Sequence, residues 1–400
     1  MVSAVPGRSP SAAVSHGQRL PPLAEPGPEL TAEQIERYRR QITLDQIGTL
    51  GQRRLRAARV LLIGAGGLGS PALSYLAGAG IGTIGIIDDD DVDVSNLHRQ
   101  VIHGTEDVGT PKVASAARAA HRLNPEVAVE AHHQRLSPEG AVDLVGRYDV
   151  VVDGSDNFAT RYMVADASEI TGVPMVWAAV LRGQGQASVF WPGRGAHYRD
   201  LFPEPPAPGD APSCAEAGVL GSLPGLLGTI MAAQVIQLVT GTGDPLVGRL
   251  LLWDEATSSS RTLRLELDPD RAPATRVQVP AAADPVCRSG GPGPEETLDA
   301  SALRELLARS AGITLIDVRE DWEVAAGTIE GAVHVPVGEI LEHGADALPD
   351  GTLGTETVLY CQAGSRSARA LERLRGSWHG RKGRLRHLEG GYSAWSPQGR

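Results

Sequence analysis

Ala58-Arg59-Val60-Leu61-Leu62-Ile63 runs straight into Gly64-Ala65-Gly66-Gly67-Leu68-Gly69, and Pro71 to Gly80 follows. A short apolar run that stops at glycine reads as a buried strand, and the stretch beyond the glycines reads as a helix. The glycines permit a tight turn and let backbone N–H groups approach a phosphate closely. The helix N-terminus adds partial positive charge at the same point. Strand, glycine turn and helix form the opening unit of a nucleotide-binding α/β sheet.

Outward from this unit the alternation continues. Thr83 to Asp88 is a second strand, Lys112 to Leu123 a helix closed by Asn124-Pro125, Asp149 to Asp153 a buried strand and Pro174 to Val180 another. Such alternation is the mark of a parallel, doubly wound sheet. Upstream, Glu33 to Leu50 has helical periodicity through Ile35, Tyr38, Ile42 and Leu44. Pro192 to Pro212 is a Pro- and Gly-rich loop within the domain, and loops of that length are usually functional. Strands resume at Leu250 to Trp253 and Thr262 to Leu267, and Asp268 to Pro294 has the composition of an interdomain linker. A smaller α/β unit begins near Leu298, with strands Thr314 to Val318 and Thr357 to Tyr360 and a helix from Ser367 to Leu374. There is no internal repeat.

Bulk composition narrows the function. The 400 residues carry 48 acidic against 37 basic side chains, a formal net charge of −11, with only 4% aromatics. Nucleic-acid binding needs clustered Lys and Arg and stacking surfaces, so it is not expected. Three widely spaced cysteines, Cys214, Cys287 and Cys361, suit a reducing compartment and individually reactive thiols. Met1 to about Pro28 reads as a disordered leader without a signal-peptide core. Ala217 to Gly243 contains no charged side chain, but its glycines, Pro224, Gln234 and Gln237 make it a core helix instead of a membrane span. The expected location is cytoplasmic.

Gly64-x-Gly66-x-x-Gly69 with Asp88 at the end of the next strand says only that a nucleotide binds, and NAD would be the default. The remaining residues move the reading to ATP. Asn96, Arg99 and Gln100 follow the acidic strand end, Lys112 begins the next helix, and Asp156 and Asn157 stand in Asp153-Gly154-Ser155-Asp156-Asn157. Phosphoryl or adenylyl transfer needs cations on the phosphates and a carboxylate for Mg²⁺, because charge builds on those oxygens. Hydride transfer needs neither.

Together with Arg37-Tyr38-Arg39-Arg40-Gln41-Ile42, Asp88-x-Asp90, Ser95-Asn96-Leu97-x-Arg99-Gln100 and Pro111-Lys112, these motifs resemble the ubiquitin-activating-enzyme-like (ThiF/MoeB-like) adenylyltransferases over about residues 31 to 267. These are the activators of molybdopterin-synthase and thiamine sulfur carriers. The resemblance implies a Rossmann-like α/β domain in a homodimer that binds ATP and Mg²⁺. It also implies a substrate, the Gly-Gly tail of a small ubiquitin-like (β-grasp) carrier, whose carboxylate attacks the α-phosphate. By the same resemblance Gly64, Gly66, Gly67 and Gly69 form the phosphate loop and Asp88 holds ribose. Asn96, Arg99 and Lys112 would contact phosphates, Gln100 and Asn157 would join the nucleotide site, Asp156 would ligate Mg²⁺, and Arg40 would reach into the neighbour's site. Position 98 is His where Gln is usual, and Asp89 stands where an apolar residue is common.

Two further positions matter. Family members often carry two Cys-x-x-Cys pairs around a structural zinc, but here the places read His197-Tyr198-Arg199-Asp200 and Cys287-Arg288-Ser289-Gly290. A lone thiolate with His and Asp is a poor zinc site, so no structural zinc is expected. Cys214 matches the crossover-loop cysteine of the family, which can attack the adenylate; the alternative is an unreactive buried thiol. Cys287 has no assigned role.

A second resemblance covers residues 298 to 400. Leu315-Ile316-Asp317-Val318-Arg319 with Glu323, Gly331-Ala332, Cys361-Gln362-Ala363-Gly364-Ser365-Arg366-Ser367 and Leu388-Glu389-Gly390-Gly391-Tyr392-Ser393-Ala394-Trp395 look like a single rhodanese domain. Independently, a cysteine between a strand and a helix faces loop N–H groups and a helix N-terminus, which favour a sulfur anion, and Arg366 adds charge. The spacing from Cys361 to Arg366 is one residue shorter than in cysteine phosphatases, which favours sulfur over phosphate. Thr328 stands where His is common, and little effect on chemistry is expected. The basic stretch from Arg373 to His387 offers charge to an acidic carrier, or is simply a solvated loop.

The chain is therefore expected to hold a leader (1–30), an adenylyltransferase domain (31–268), a linker (269–297) and a rhodanese domain (298–400). The expected reaction is adenylylation of the carrier's terminal carboxylate, then attack by a Cys361 persulfide loaded from thiosulfate or a cysteine desulfurase. Cys214 would resolve the acyl-disulfide. Such fusions resemble actinobacterial-type activators of molybdenum-cofactor, cysteine or other sulfur-carrier pathways. The alternatives are a conjugating activator with an accessory rhodanese module, and an NAD-binding redox protein, which would have no need of Lys112.

Overall fold

The structure is a computed structural model that describes residues 20–205, 218–279, 292–309, 312–348, 355–376, 378 and 383–396. Cys214, Cys287 and the leader up to residue 19 lie outside the described residues. The chain divides into two compact units, one within residues 1–284 and one within residues 285–400.

The first unit runs α1 (Ala32–Ile42), α2 (Gly48–Ala57), β1 (Arg59–Ile63), α3 (Gly69–Ala79), β2 (Thr83–Ile87), α4 (Lys112–Leu123), β3 (Ala128–His132), α5 (Pro138–Val145), β4 (Val150–Asp153), α6 (Phe158–Thr171), β5 (Met175–Leu181), β6 (Gln184–Phe190), α7 (Tyr198–Leu201), α8 (Ser222–Thr240), β7 (Arg249–Asp254) and β8 (Ser259–Arg264). Its sheet has the order β3-β2-β1-β4-β5-β6-β7-β8. β3 through β5 are parallel, as the alternating pattern predicts, whereas β6, β7 and β8 pair antiparallel. Alternation along β1 assigns the two faces. Val60 and Leu62 join a core with α3, α4 and α8, and Leu61 and Ile63 join one with α5 and α6.

Two expectations are corrected here. Glu33 to Leu50 is not one helix: α1 ends at Ile42, and the chain turns before Gly48, whose φ is +56°. The apolar residues that suggested continuity, Ile35 and Leu44, are 45% and 50% exposed, while Gln34 and Tyr38 make the buried face. The last strand is Ser259–Arg264, not Thr262 to Leu267. α8 is long and apolar enough to span a membrane by length and composition, but it packs against α3, α2, β5 and β6.

Sheet order reverses between β1 and β4. In doubly wound sheets the crevice at such a switch, beyond the strands' C-terminal ends, is where ligands bind. The glycine turn after β1 and the Gly154–Asn157 turn after β4 both open there.

The second unit has the parallel order β11-β10-β12-β13-β9, from β9 (Thr297–Leu298), β10 (Ile313–Asp317), β11 (Val333–His334), β12 (Glu356–Tyr360) and β13 (Arg384–Leu388). Its own reversal lies between β10 and β12, and Cys361 directly follows β12.

Candidate active sites

The cleft at the first switch point holds about 400 Å³. Its walls include Gly64, Gly66, Gly67, Asp88, Arg99, Gln100, Lys112, Asp156 and Asn157, which brings together nine positions far apart in sequence. Gly69 opens α3, and a Cβ there would lie 2.0 Å from the Gly64 carbonyl oxygen, so glycine is required for the turn to close.

Asp88 has a structural task as well as a place in the cleft. Its Oδ2 accepts the Ala65 N–H at 2.8 Å and its Oδ1 accepts the Asp90 N–H at 2.9 Å. Burial raises its pKa, and the Ala65 hydrogen bond opposes that rise. Lys112 is buried and donates to Asp90 Oδ2 at 2.7 Å. The Arg99 stem packs along Gly67, with its Nη1 donating to the Ser95 carbonyl at 3.0 Å. Gln100 is buried, and its Oε1 has no partner among the described residues. Asn157 caps α6, its side chain accepting the Thr160 N–H at 2.9 Å, so it sets the turn that presents Asp156.

Three expected residues do not line the cleft: Gly69, which closes the turn behind it, Asn96 and Arg40. Asn96 sits in the 3₁₀ turn Val94–Asn96 and donates to Ser95 Oγ at 3.2 Å. Arg40 is exposed on α1. Conversely, Arg161 lines the cleft, donates to the Ser155 carbonyl at 3.2 Å and leaves Nε without a partner among the described residues. It is one helical arginine among many in the sequence, so nothing local marks it.

This set fits a nucleoside triphosphate: a helix N-terminus, the cations Arg99, Lys112 and Arg161, and buried polar atoms on the wall without partners among the described residues. Exposed Asp156 faces the same cleft as an oxygen ligand suited to Mg²⁺.

The place of the first Cys-x-x-Cys pair is filled by charge. Arg199 makes a bidentate pair with Asp166 at 2.7 and 2.9 Å, and Arg271 makes one with Glu169 at 2.8 and 3.0 Å. Arg271 also reaches Asp200, and His197 Nε2 binds the Ala165 carbonyl oxygen at 2.9 Å. The Ala274 and Gln278 N–H groups donate to Glu169 and Asp166. His197 and Asp200 thus have their side chains engaged in hydrogen bonds and ion pairs, while the positions of the second pair, Cys287 to Gly290, lie outside the described residues. The charge cluster also corrects the linker reading, since Arg271 to Val279 is pinned against α6 and packs its valines on that core.

In the second unit Cys361 is fully buried. Its Sγ accepts the Gly364 N–H at 3.1 Å and faces Ser367 Oγ at 3.8 Å. Gly364 takes φ +96°, and a Cβ on Gly391 would lie 2.3 Å from the Cys361 carbonyl oxygen, so the Gly390-Gly391 turn seats directly on the loop. Arg366 does not stand free: it makes a bidentate pair with Glu323 at 2.6 and 2.7 Å. Burial alone would raise the Glu323 pKa, but the guanidinium wins and holds it below the usual carboxylate range. Thr328 is exposed, but its hydroxyl is tied inward, bonded to Asp317 at 3.0 Å and Tyr360 at 2.7 Å. Through Asp317 it joins Arg319, which in turn bonds Gln362 beside the cysteine at 3.2 Å.

Residues 38–274, more than half of the chain, match the model of the ThiF family. The chain belongs to the ThiF family. Residues 299–398 match the rhodanese-like domain. The chain is 44% identical over 390 residues to a protein of Mycobacterium tuberculosis named probable adenylyltransferase/sulfurtransferase MoeZ, covering 95% of this chain and 97% of that one. It is 38% identical to bovine (Bos taurus) adenylyltransferase and sulfurtransferase MOCS3, covering 96% and 92%. Among solved structures, E. coli MccB with a MccA variant superposes with a TM-score of 0.54 at 20% identity, over 60% of this chain and 74% of that one, a likeness of fold.

Proposed function

We propose that this ThiF-family protein uses ATP to activate the C-terminal glycine carboxylate of a small ubiquitin-like sulfur carrier, and then delivers sulfur to it from Cys361. The observation that carries the reading is the pairing, on one chain, of a phosphate cleft holding Lys112 and Arg99 with a buried cysteine whose sulfur accepts a loop N–H. The names of the full-length relatives pair the same two activities.

In the first half-reaction the carrier carboxylate attacks the α-phosphorus, the bond to the β-phosphate oxygen breaks, and pyrophosphate leaves. Lys112 and Arg99 stabilise the charge that builds on the phosphate oxygens, and the glycine loop with the α3 N-terminus holds them in place. Asp156 would hold Mg²⁺, which when bound neutralises part of that charge. In the second half-reaction the outer sulfur of a Cys361 persulfide attacks the acyl carbon and AMP departs, a far better leaving group than hydroxide. A thiolate then attacks Cys361 Sγ, the carrier leaves as thiocarboxylate, and a disulfide remains for an external thiol to reduce. Cys214 is the proposed thiol. It precedes Val219, on the cleft wall, by five residues, a span of at most about 18 Å.

The working unit is proposed to be a cytoplasmic homodimer. Tyr75 of α3 is 57% exposed, and α8, which packs on α3, carries the partly exposed apolar stripe Leu226, Ile230, Ala233 and Ile236, surfaces suited to a second copy. Arg40 would then reach the neighbour's cleft, and Asn96 would turn inward with phosphate present. The complete cysteine loop favours sulfur delivery over protein conjugation.

The test is intact mass of Gly-Gly-ending carriers after incubation with this protein, Mg-ATP and thiosulfate. Replacement of one oxygen by sulfur, absent with Cys361→Ala and with Lys112→Ala, is expected. Conjugates or adenylate without any sulfur gain would overturn the proposal.

A further inference from the structure

We infer that His103 is a positioning residue for adenylylation, holding the phosphate loop in its working geometry through the carbonyl of Ala65. The inference rests on the reading of the cleft as the ATP site. His103 itself does not line that cleft. It lies behind the loop, 6% exposed, with Nε2 at 3.2 Å from the Ala65 carbonyl oxygen and Nδ1 at 2.9 Å from Ser115 Oγ.

The arrangement fixes the tautomer. A carbonyl oxygen only accepts, so Nε2 carries the proton and Nδ1 accepts the Ser115 hydroxyl proton. Burial depresses the His103 pKa, which keeps the ring neutral and the assignment intact near neutral pH. The charged groups facing the ring are Asp107, Arg118 and Lys112. The first two are paired with each other at 2.6 Å. Lys112 is one turn before Ser115 on α4, so the helix that supplies the phosphate cation also anchors the imidazole.

The consequence for the loop follows from peptide geometry. The Ala65 carbonyl and the Gly66 N–H belong to one planar trans unit, so they point in opposite directions. With the carbonyl fixed toward His103, the Gly66 N–H is turned away from it, toward the cleft that Gly66 lines. That N–H makes no hydrogen bond within the described residues. On the other side of Ala65, its own N–H is held by Asp88. One residue of the loop is thus gripped from both sides, by an acid that the sequence motif announces and by a histidine that it does not.

The experiment compares full-length wild type with His103→Phe and His103→Gln by calorimetric titration with Mg²⁺ and α,β-methylene-ATP. Phe removes the ring donor and leaves that carbonyl only the longer bond from the Ser70 hydroxyl at 3.4 Å, whereas the Gln amide N–H can reach it. We expect Phe to weaken nucleotide binding about tenfold and Gln to restore it to within about threefold. Thiosulfate-to-cyanide transfer by the second unit serves as a control for folding and should be unchanged in both. Phe binding as tightly as wild type, or Phe and Gln equally weakened, would overturn the role. A wild type that binds no adenine nucleotide would instead overturn the reading of the cleft.

Discussion

Lys112 Nζ lies 2.7 Å from Asp90 Oδ2, with the lysine side chain 7% exposed and the aspartate 65% exposed. The cation is held at the cleft by a partner that water already screens, so an incoming phosphate can displace it at small cost. Fully exposed pairs contribute about 0.2–1 kcal/mol, and here only the aspartate is exposed. Asp90→Asn should therefore lower the KM for ATP by about two- to fivefold, while Lys112→Ala should cut kcat of adenylylation by about a hundredfold. Steady-state pyrophosphate release measures both. An unchanged KM in Asp90→Asn would show that the carboxylate does not compete with phosphate.

Gly69→Ala should open the phosphate loop, because the added Cβ would sit 2.0 Å from the Gly64 carbonyl oxygen, a backbone atom with no room to yield. Adenylylation should fall more than tenfold, with thiosulfate-to-cyanide transfer intact. Equal loss of both activities would point to general misfolding instead.

The Glu323–Arg366 pair is largely buried, with side-chain exposures of 7% and 16%. Breaking such a pair from one side leaves an uncompensated charge and costs about 3 kcal/mol. Glu323→Gln should lower the stability of the second unit by that order in urea unfolding, and sulfur transfer with it. The folded-state pKa of Glu323 lies below its unfolded value of 4.5. Its stabilising effect should thus be complete above about pH 4.5 and vanish as the pH drops through the folded value. A Gln variant as stable as wild type at pH 7 would refute this.

The charge cluster on α6 gives a prediction of the same sign. Glu169 is held low: burial opposes ionisation, and Arg271 outweighs it. Thermal unfolding of the first unit should be indifferent to strong chelators, lowered by several degrees in Arg271→Ala, and acid-sensitive below about pH 4.5. A fall in Tm on chelation, or tightly bound zinc in metal analysis, would count against it.

Much of this was legible from local pattern. Lys112–Leu123 has the helix bounds that its composition and Asn124-Pro125 predict, and the apolar runs at β1, β2 and β4 are buried strands. The glycine turn and Cys361 announce themselves because their chemistry is confined to a few consecutive residues. What escaped depends on contacts across the fold. His103 meets Ala65 over 38 residues, and Arg271 meets Glu169 over 102. A lone histidine or arginine has no periodicity to report such a partner. The split between α1 and α2 was missed for a different reason: Ile35 and Leu44 have helical spacing but face solvent, so spacing alone overstated the buried face. Antiparallel pairing of β6 to β8 is likewise invisible to a pattern that reads strands one at a time.

The cluster of Arg199, Asp166, Arg271 and Glu169 has one more consequence. A clasp of zinc and thiolates is itself made of reduced sulfur, open to oxidants and to exchange with persulfides. Guanidinium and carboxylate offer such reagents nothing to attack. With sulfur carried at Cys361 as proposed, this part of the scaffold stays chemically deaf to that cargo.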